Sequence, residues 1–404
     1  MSCVPEPGPA AVPAKDAGQR FAAGSPRVLV TGATGFAGAL AAHLLWRHPR
    51  FELVAVTGRS EVGRRLDELY PRYRVPLAIK ELLLDRLEGI DAAVVAYPHA
   101  AAAPTVGALR ERGARVVDLS ADFRLGSLAT YERWYGAHPR PDLLEQAVYG
   151  LTELHRRRIA GAAIVANPGC YPTASVLALA PLAAAGLIAD VVIDAKQGIS
   201  GAGRVYDETT HMSMAAENIL PYKVAAHRHT PEIEEQLAWV SAGGSNGDEN
   251  GGGGRGRGAG SVTVQFQAHL LPLDQGELAS CYVTPTRAVA PAELAERFAV
   301  AYDREPFVEL VDTPPGVRDV RETNFCRIFA AAYDQEPFVE LVDAPPGVRE
   351  VRETNFCRIF AAADEHTGKL LVFSAIDNLW KGTSSQAVQN LNVMFGLPEG
   401  EGLL

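Results

Sequence analysis

Cys170 stands in the run Asn167-Pro168-Gly169-Cys170-Tyr171-Pro172-Thr173, between a short apolar stretch and a long Ala/Leu-rich one. A cysteine at the entrance to a helix feels the positive end of the helix dipole, which stabilises a thiolate and makes it a nucleophile. A lone cysteine is more often an inert core residue. Here Pro and Gly on one side and Pro on the other mark a specified turn. Further along, His227-Arg228-His229-Thr230-Pro231-Glu232 carries two histidines at alternate positions. In extended chain they point the same way, so either could reach a thiol and act as general acid/base near neutral pH. Between these runs lies KQGISGAGR, Lys196 to Arg204, a strand end followed by small residues whose backbone N–H groups can face an anion. Arg204 could grip a carboxylate or phosphate bidentately. A metal centre is not indicated, for want of further ligands at suitable spacing.

A second cluster lies near the N-terminus. The strand Arg27-Val28-Leu29-Val30 runs into Thr31-Gly32-Ala33-Thr34-Gly35-Phe36-Ala37-Gly38 and then a helix. Gly32, Gly35 and Gly38 allow a tight turn, close approach to a pyrophosphate and close helix packing, while the helix N-terminus presents oriented N–H donors. Thr34 and Phe36 lie within the same loop. The spacing is G-x-x-G-x-x-G rather than G-x-G-x-x-G, so its place between strand and helix carries the reading. The next strand, FELVAV, ends in Thr57-Gly58-Arg59-Ser60, with no acid to hold a ribose 2'-hydroxyl. An arginine there suits a 2'-phosphate, so NADP is favoured over NAD, with Arg59 and Ser60 as its readers.

The elements that must hold these clusters alternate. From Arg27, the runs RVLV, FELVAV, DAAVVAY, ARVVDL and AIVAN are separated by helical segments, the rhythm of an α/β, Rossmann-type doubly wound parallel sheet. After Cys170 come a long helix, the strand VVIDAKQG and mixed periodicity, which point to a second α+β domain. The expected division is a disordered tail over 1–24, a nucleotide-binding domain over 25–166 and 380–404, and a catalytic domain over 167–379. Residues 241–260, SAGGSNGDENGGGGRGRGAG, cannot bury enough apolar surface to offset their ordering entropy and read as a flexible loop. Residues 302–332 recur as 333–363 with three differences, Arg304/Gln335, Thr313/Ala344 and Asp319/Glu350. Two copies are too few for a solenoid, so they read as a tandem insertion within a domain.

Composition narrows the partners. The 404 residues are 47% hydrophobic and 21% charged, which is ordinary for a globular chain of two or three domains. A formal net charge of −10 argues against a nucleic-acid surface. Ala174 to Ala189, the most apolar stretch, is broken by Pro181 and Gly186, so no membrane span is expected. Met1 to Gly24 has no basic head followed by an apolar core and does not look like a secretory signal. Five sparse cysteines without a CxxC pair fit a reducing cytoplasm.

Taken together, VTGATGFAG, AVVAYPHA, VVDLSADFR, NPGCYPT, QGISGAGR, HRHTPEI and AIDNLWKGTSSQAVQNLN resemble the N-acetyl-gamma-glutamyl-phosphate reductase family, from about Arg27 to Leu397. The resemblance implies an NADPH-dependent enzyme of arginine biosynthesis, with Cys170 as nucleophile and His227 as acid/base. It implies Arg124, Ser200, Arg204 and His229 as substrate contacts, and Pro98 and Asn378 as cofactor contacts. The implied segment Asp377 to Asn392 returns over the nicotinamide, and the implied assembly is a homodimer or homotetramer formed through the second domain. Implied, too, is reductive dephosphorylation of an acyl phosphate: a thioester forms on Cys170, accepts hydride and collapses to the semialdehyde. The chain departs from the family where Gln275-Gly276 replaces the usual Arg-Gly and Ala268 the usual Pro, which removes one cation near the substrate or the subunit contact.

Two rival readings accompany this one. A related reductase would take an aspartyl or a carrier-linked aminoadipyl phosphate. An NADP-binding protein would have lost turnover because the duplication distorts its second domain. For the duplication, the short turn after residue 363 predicts that the strand Asn355 to Ala363 of the second copy pairs with Lys369 to Ile376. The first-copy strand, around Asn324 to Ala332, is then expected to be displaced with about 31 residues, or to add to a sheet edge.

Overall fold

The computed structural model describes residues 24–244, 262–310, 326–330, 357–364 and 368–403. Nearly all of the expected tail, most of the Gly-rich loop and most of both repeat copies lie outside these residues.

The β-branched runs form strands β1 (Arg27–Thr31), β2 (Glu52–Thr57), β4 (Ala92–Val95), β5 (Arg115–Asp118) and β7 (Ile164–Ala166). Two short strands that the pattern did not disclose, β3 (Ile79–Lys80) and β6 (Ala147–Tyr149), extend the two edges. All seven are parallel, in the order β3-β2-β1-β4-β5-β7-β6. β4 and β7 are buried at every residue, as a parallel sheet covered on both faces requires. Val28 and Val30 face the helices Phe36–Arg47 and Ser385–Met394, while Leu29 faces the helix Ala103–Glu111. The chain thus returns at its C-terminal end to complete the first layer. The order reverses between β1 and β4, and the crevice outside their carboxyl ends is where such sheets take a ligand.

The second sheet has eight strands. They are β8 (Ile188–Gly198), β9 (Leu220–Tyr222), β10 (Thr263–Leu271), β11 (Glu277–Pro285), β12 (Val308–Leu310), β13 (Cys326–Ala330), β14 (Cys357–Asp364) and β15 (Lys369–Ile376). Their order is β12-β13-β14-β15-β11-β8-β10-β9. The helix Cys170–Ala184 packs across one face and is buried all round from Tyr171 to Ala183. Its Leu177, Leu179 and Leu182 are wholly enclosed, each worth about 1.5–3 kcal/mol of burial. On the other face Asp194, Lys196, Gln267, His269, Leu278, Tyr282, Leu371 and Phe373 are half-exposed, and no helix among the described residues covers them.

The duplication is absorbed into this sheet. β14, from the second copy, pairs antiparallel with β15, Phe360 opposite Phe373. β13, from the first copy, is not displaced elsewhere: it lies parallel to β14, with Ile328 opposite Ile359 and Phe329 opposite Phe360. The physical reason is that two strands of identical sequence share one alternation, so the twin satisfies the open edge of its copy without a change of register. β12 then pairs with β13.

Candidate active site

Cys170 is the first residue of the helix Cys170–Ala184, capped by Gly169. Its surroundings come from four directions. Gln197, at the end of β8, donates from Nε2 to Cys170 Sγ at 3.0 Å. Glu277, at the start of β11, is fully buried and accepts from the same Gln197 Nε2 at 3.1 Å, while its Oε1 has no hydrogen-bond partner. Gly382 lies so close that an added Cβ would sit 2.8 Å from Cys170 Cβ. The Tyr171 amide completes the set. Burial, and after it the Glu277 carboxylate, push the Cys170 thiol well above its ordinary value. The thiolate expected from the helix dipole is therefore not the resting form, because the field of four or five backbone amides is outweighed by desolvation and a neighbouring anion.

The turn before the cysteine is held by Glu232. This residue sits in the first turn of the helix Thr230–Ser241 and accepts from the Gly169 amide at 2.9 Å and the Tyr149 hydroxyl at 2.8 Å. It also pairs with Arg124 at 3.4 Å. Arg124 donates besides to the carbonyls of Asn167 and Leu119, both at 2.8 Å, and a Cβ on Gly169 would meet its Nη1 at 2.9 Å. The residue expected to contact the substrate is thus buried and largely engaged in fixing the cysteine turn. Its closeness to Gly169 leaves it beside Cys170.

The two histidines differ. His227 is buried among the rings of Tyr171, Tyr222, Phe266 and His229, and its Nδ1 accepts from the His229 amide at 3.2 Å. Burial, then the Lys223 and Arg228 charges, lower its pKa to about 3. His229 reaches Gly169, where an added Cβ would lie 2.6 Å from Nε2, while its buried Nδ1 has no hydrogen-bond partner. Burial, then His227 and Arg124, hold it well below the ordinary imidazole value. Among the described residues, neither imidazole hydrogen-bonds Cys170 Sγ. Both are neutral at pH 7, so each serves as a hydrogen-bonding group rather than as an imidazolium.

The nucleotide crevice faces this centre. Gly32, at φ +69°, is closed against Ala96 O, and a Cβ on Gly38 would collide with Gly32 O, so chain packing explains both. Gly35 is different: an added Cβ would meet only Gly32 O, at 3.6 Å, which leaves open space above the helix N-terminus. That cradle fits a pyrophosphate. Phe36 opens the helix, its ring edge-on to Tyr70. The Arg59 guanidinium lies over the Tyr97 ring at 5.0 Å, Ser60 Oγ donates to Thr34 Oγ1 at 3.5 Å, and exposed Pro98 follows Tyr97 beyond β4. Arg204 belongs to this crevice and not to the cysteine: it donates to Thr34 O at 3.1 Å and pairs with Glu61 at 3.4 Å.

The segment after β15 joins the two halves. Asn378 accepts from the Gly276 amide at 2.7 Å and donates to Ser200 Oγ at 3.1 Å. Trp380–Ser384 forms a π-helical turn, a form that recurs at functional sites. Its Ser384 donates to Ala37 O at 2.9 Å and its Thr383 O accepts from Asn167 Nδ2 at 3.0 Å, tying glycine loop to cysteine turn. Lys381, fully buried, anchors it through Glu153 at 2.5 Å and Gln389 at 2.8 Å. Sequence reading missed Gln197, Glu277 and Glu232. Gln197 and Glu232 stood inside runs already singled out; nothing in the spacing marks Glu277, which neighbours the cysteine only through strand pairing. No cluster of His, Cys, Asp and Glu among the described residues is arranged to hold a metal ion, and no described helix is long and apolar enough to cross a membrane.

A sheet of the dinucleotide-binding kind, joined to a cysteine at the start of a helix packed on a second, mixed sheet, defines a class of oxidoreductase, and the chain belongs to the semialdehyde dehydrogenase family. Residues 27–162 match that family's NAD-binding domain, and its dimerisation domain is matched over 170–332 and again over 327–378, two stretches that overlap at the end of the first repeat copy. The chain is 42% identical over 388 residues to the N-acetyl-gamma-glutamyl-phosphate reductase of Desulforudis audaxviator, covering 94% of this chain and 98% of that one. It is 41% identical over 383 residues to the reductase of the same name from Moorella thermoacetica, covering 92% and 95%. Among solved structures, the fold is similar to aspartate semialdehyde dehydrogenase II of Vibrio cholerae, with a TM-score of 0.62, 16% identity and coverage of 92% and 98%. It is also similar to the NADP-bound aspartate semialdehyde dehydrogenase of Candida albicans, with a TM-score of 0.58, 15% identity and the same coverage.

Proposed function

We propose that this chain reduces N-acetyl-gamma-glutamyl phosphate to N-acetylglutamate semialdehyde with NADPH, through a thioester on Cys170, in arginine biosynthesis. The observation that carries the reading is the placement of Cys170 on a fixed turn, at the junction of the nucleotide crevice and the second domain, in a chain 42% identical to a reductase of that name. Cys170 Sγ attacks the acyl carbon and phosphate leaves. When bound, NADPH supplies the hydride that reduces the acyl carbon. Gln197 holds the sulfur in line through its amide, and the Tyr171 N–H lies beside the position where an oxyanion develops. The free Nδ1 of His229 and the Nη1 of Arg124 at Gly169 are the groups offered to the substrate's acyl-phosphate oxygens. His227 supports His229 from behind.

NADP is favoured over NAD because β2 ends without an acid and Arg59, with Arg204 nearby, gives the crevice mouth two guanidinium groups for a 2'-phosphate. The uncovered face of the second sheet supports a homodimer, in which it would be buried against a second copy. A reactive free thiol fits a reducing, cytoplasmic setting. The inactive-binder reading loses ground because β13 is inserted beyond β14 and β15, away from the strands that carry Gln197 and Glu277.

The test runs the reaction backwards with the pure protein. NADP reduction should require both N-acetylglutamate semialdehyde and phosphate, and Cys170→Ser should bind NADPH yet lose turnover. Faster reduction with aspartate semialdehyde would transfer the assignment to the sister activity, and a Cys170→Ser protein of comparable activity would remove the thioester.

A further inference from the structure

The proposed thioester chemistry leaves open where the thiol proton goes. Glu277 begins β11, and its register partners across the sheet are Gln197 on β8 and Ile376 on β15. Gln197 Nε2 donates to Cys170 Sγ at 3.0 Å and to Glu277 Oε2 at 3.1 Å, so one amide orients both groups. The carboxyl has no exposure to solvent, and its Oε1 has no hydrogen-bond partner, so it is free to take a proton. The groups that face this pair are themselves acids: Asp377 toward Glu277, and the Tyr171 and Tyr222 phenols toward both. Two acids held by one amide, buried among acids, resist ionising together and share a single proton.

We propose that Glu277 is the proton acceptor for Cys170: its carboxylate takes the thiol proton as sulfur attacks and returns it when sulfur leaves. The proposal rests on the reading of Cys170 as nucleophile. In the first step S–H breaks, O–H forms on Glu277, the C–S bond forms, and the C–O bond to phosphate breaks with its electron pair on the leaving oxygen; phosphate takes its own proton from solvent. After reduction of the acyl carbon, the tetrahedral alkoxide re-forms C=O, the C–S pair returns to sulfur, and Glu277 reprotonates it. Burial, then Asp377, raise the Glu277 carboxyl well above its usual range, which brings its basicity toward that of a thiol. His227, lowered to about 3 and without a bond to Sγ, is too weak a base for this transfer.

The experiment follows carbamidomethylation of Cys170 by iodoacetamide against pH, with the Cys170 peptide quantified by mass spectrometry, beside steady-state turnover. The wild-type protein should show a two-step rise, because two ionisations belong to the pair. Glu277→Gln should show one step and lose at least 100-fold in turnover, and Glu277→Asp should regain both the second step and part of the rate. A Glu277→Gln profile that matches the wild type overturns the proposal, even where turnover falls, since that combination describes a purely positional role. A single-step wild-type profile overturns it without any variant, which covers the case in which Glu277→Gln fails to fold. Alkylation needs no substrate, so a two-step profile in a protein inert toward N-acetyl-gamma-glutamyl phosphate would refute the substrate reading alone.

Discussion

Gly382 and Cys170 touch: the backbone of the returning segment lies where any larger residue would press on the cysteine's Cβ at 2.8 Å and its Cα at 3.3 Å. The position of the Cys170 sulfur is thus set by a glycine 212 residues further along the chain. Gly382→Ala should cost about 1–3 kcal/mol of stability through overpacking. It should also cost at least tenfold in turnover, since a shift of about 1 Å in a reacting group can cost about 100-fold. Thermal unfolding and kcat measured together check this; wild-type kcat would mean that the cysteine turn has room to yield.

Arg59 tests the cofactor. With its guanidinium over Tyr97 at the crevice mouth, Arg59→Glu sets a negative charge where a 2'-phosphate would lie. NADPH binding should weaken by tenfold or more while NADH binding changes little. Fluorescence titration with both cofactors gives the comparison, and equal losses would make Arg59 a support of the loop only.

His43 gives a pH dependence away from the site. It is held between Tyr73 O at 2.8 Å and the Tyr73 ring, and burial, against the Tyr73 hydrogen bond, lowers its pKa to about 4. The unfolded chain binds this proton near pH 6.5 and the folded one does not. The contribution is therefore complete above pH 6.5 and is lost as pH falls toward 4. In that window the group adds about 1.4 kcal/mol per pH unit to the slope of unfolding free energy. His43→Gln should flatten the slope by about that amount in denaturant titrations at pH 4.5 and 6; an unchanged slope would show that His43 is protonated in the folded protein.

Removal of one repeat copy tests the enlarged sheet. Val308 on β12 already pairs with Cys357 on β14, so a Val-Glu-Leu strand can lie directly against β14 without β13 between them. Deletion of residues 302–332 removes β12 and β13 together, but the remaining copy, which differs from the first at three positions, carries the β12 sequence again as Val339-Glu340-Leu341 to take its place. The shortened protein should fold with a second sheet one strand narrower, keep activity within a few-fold, and be at least as soluble. An insoluble or inactive product would show that both copies are needed.

The doubly wound sheet was legible because five of its strands are short apolar runs rich in valine and isoleucine, a signal local to each strand. β3 and β6 are two and three residues long and carry no such signal. Cys170, Gly32, Gly35 and Gly38 could be read because each sits at an element boundary with its own turn chemistry. Glu277 could not: its neighbours Gln197 and Cys170 lie 80 and 107 positions earlier, and only the antiparallel register of β8 and β11 brings them together. Arg204 was assigned to the substrate because a cation on a small-residue loop suits any anion, and the loop's direction toward Thr34 is a tertiary fact.

The parallel pairing of β13 with β14 has a consequence for how the chain finds its fold. Because the strand sequences are identical, the first copy could in principle take the place beside β15, and what separates the two arrangements is the length of chain that must be closed. Four residues lie between Asp364 and Lys369, whereas thirty-five lie between Tyr333, the equivalent position in the first copy, and Lys369. Closure entropy then favours the observed arrangement by about 2 kcal/mol, roughly 25 to 1 at equilibrium. A protein drawn from refolding should therefore contain a small fraction with its twins exchanged, native in both active-site halves and distinct only in connectivity, a topological isomer that the sequence encodes twice.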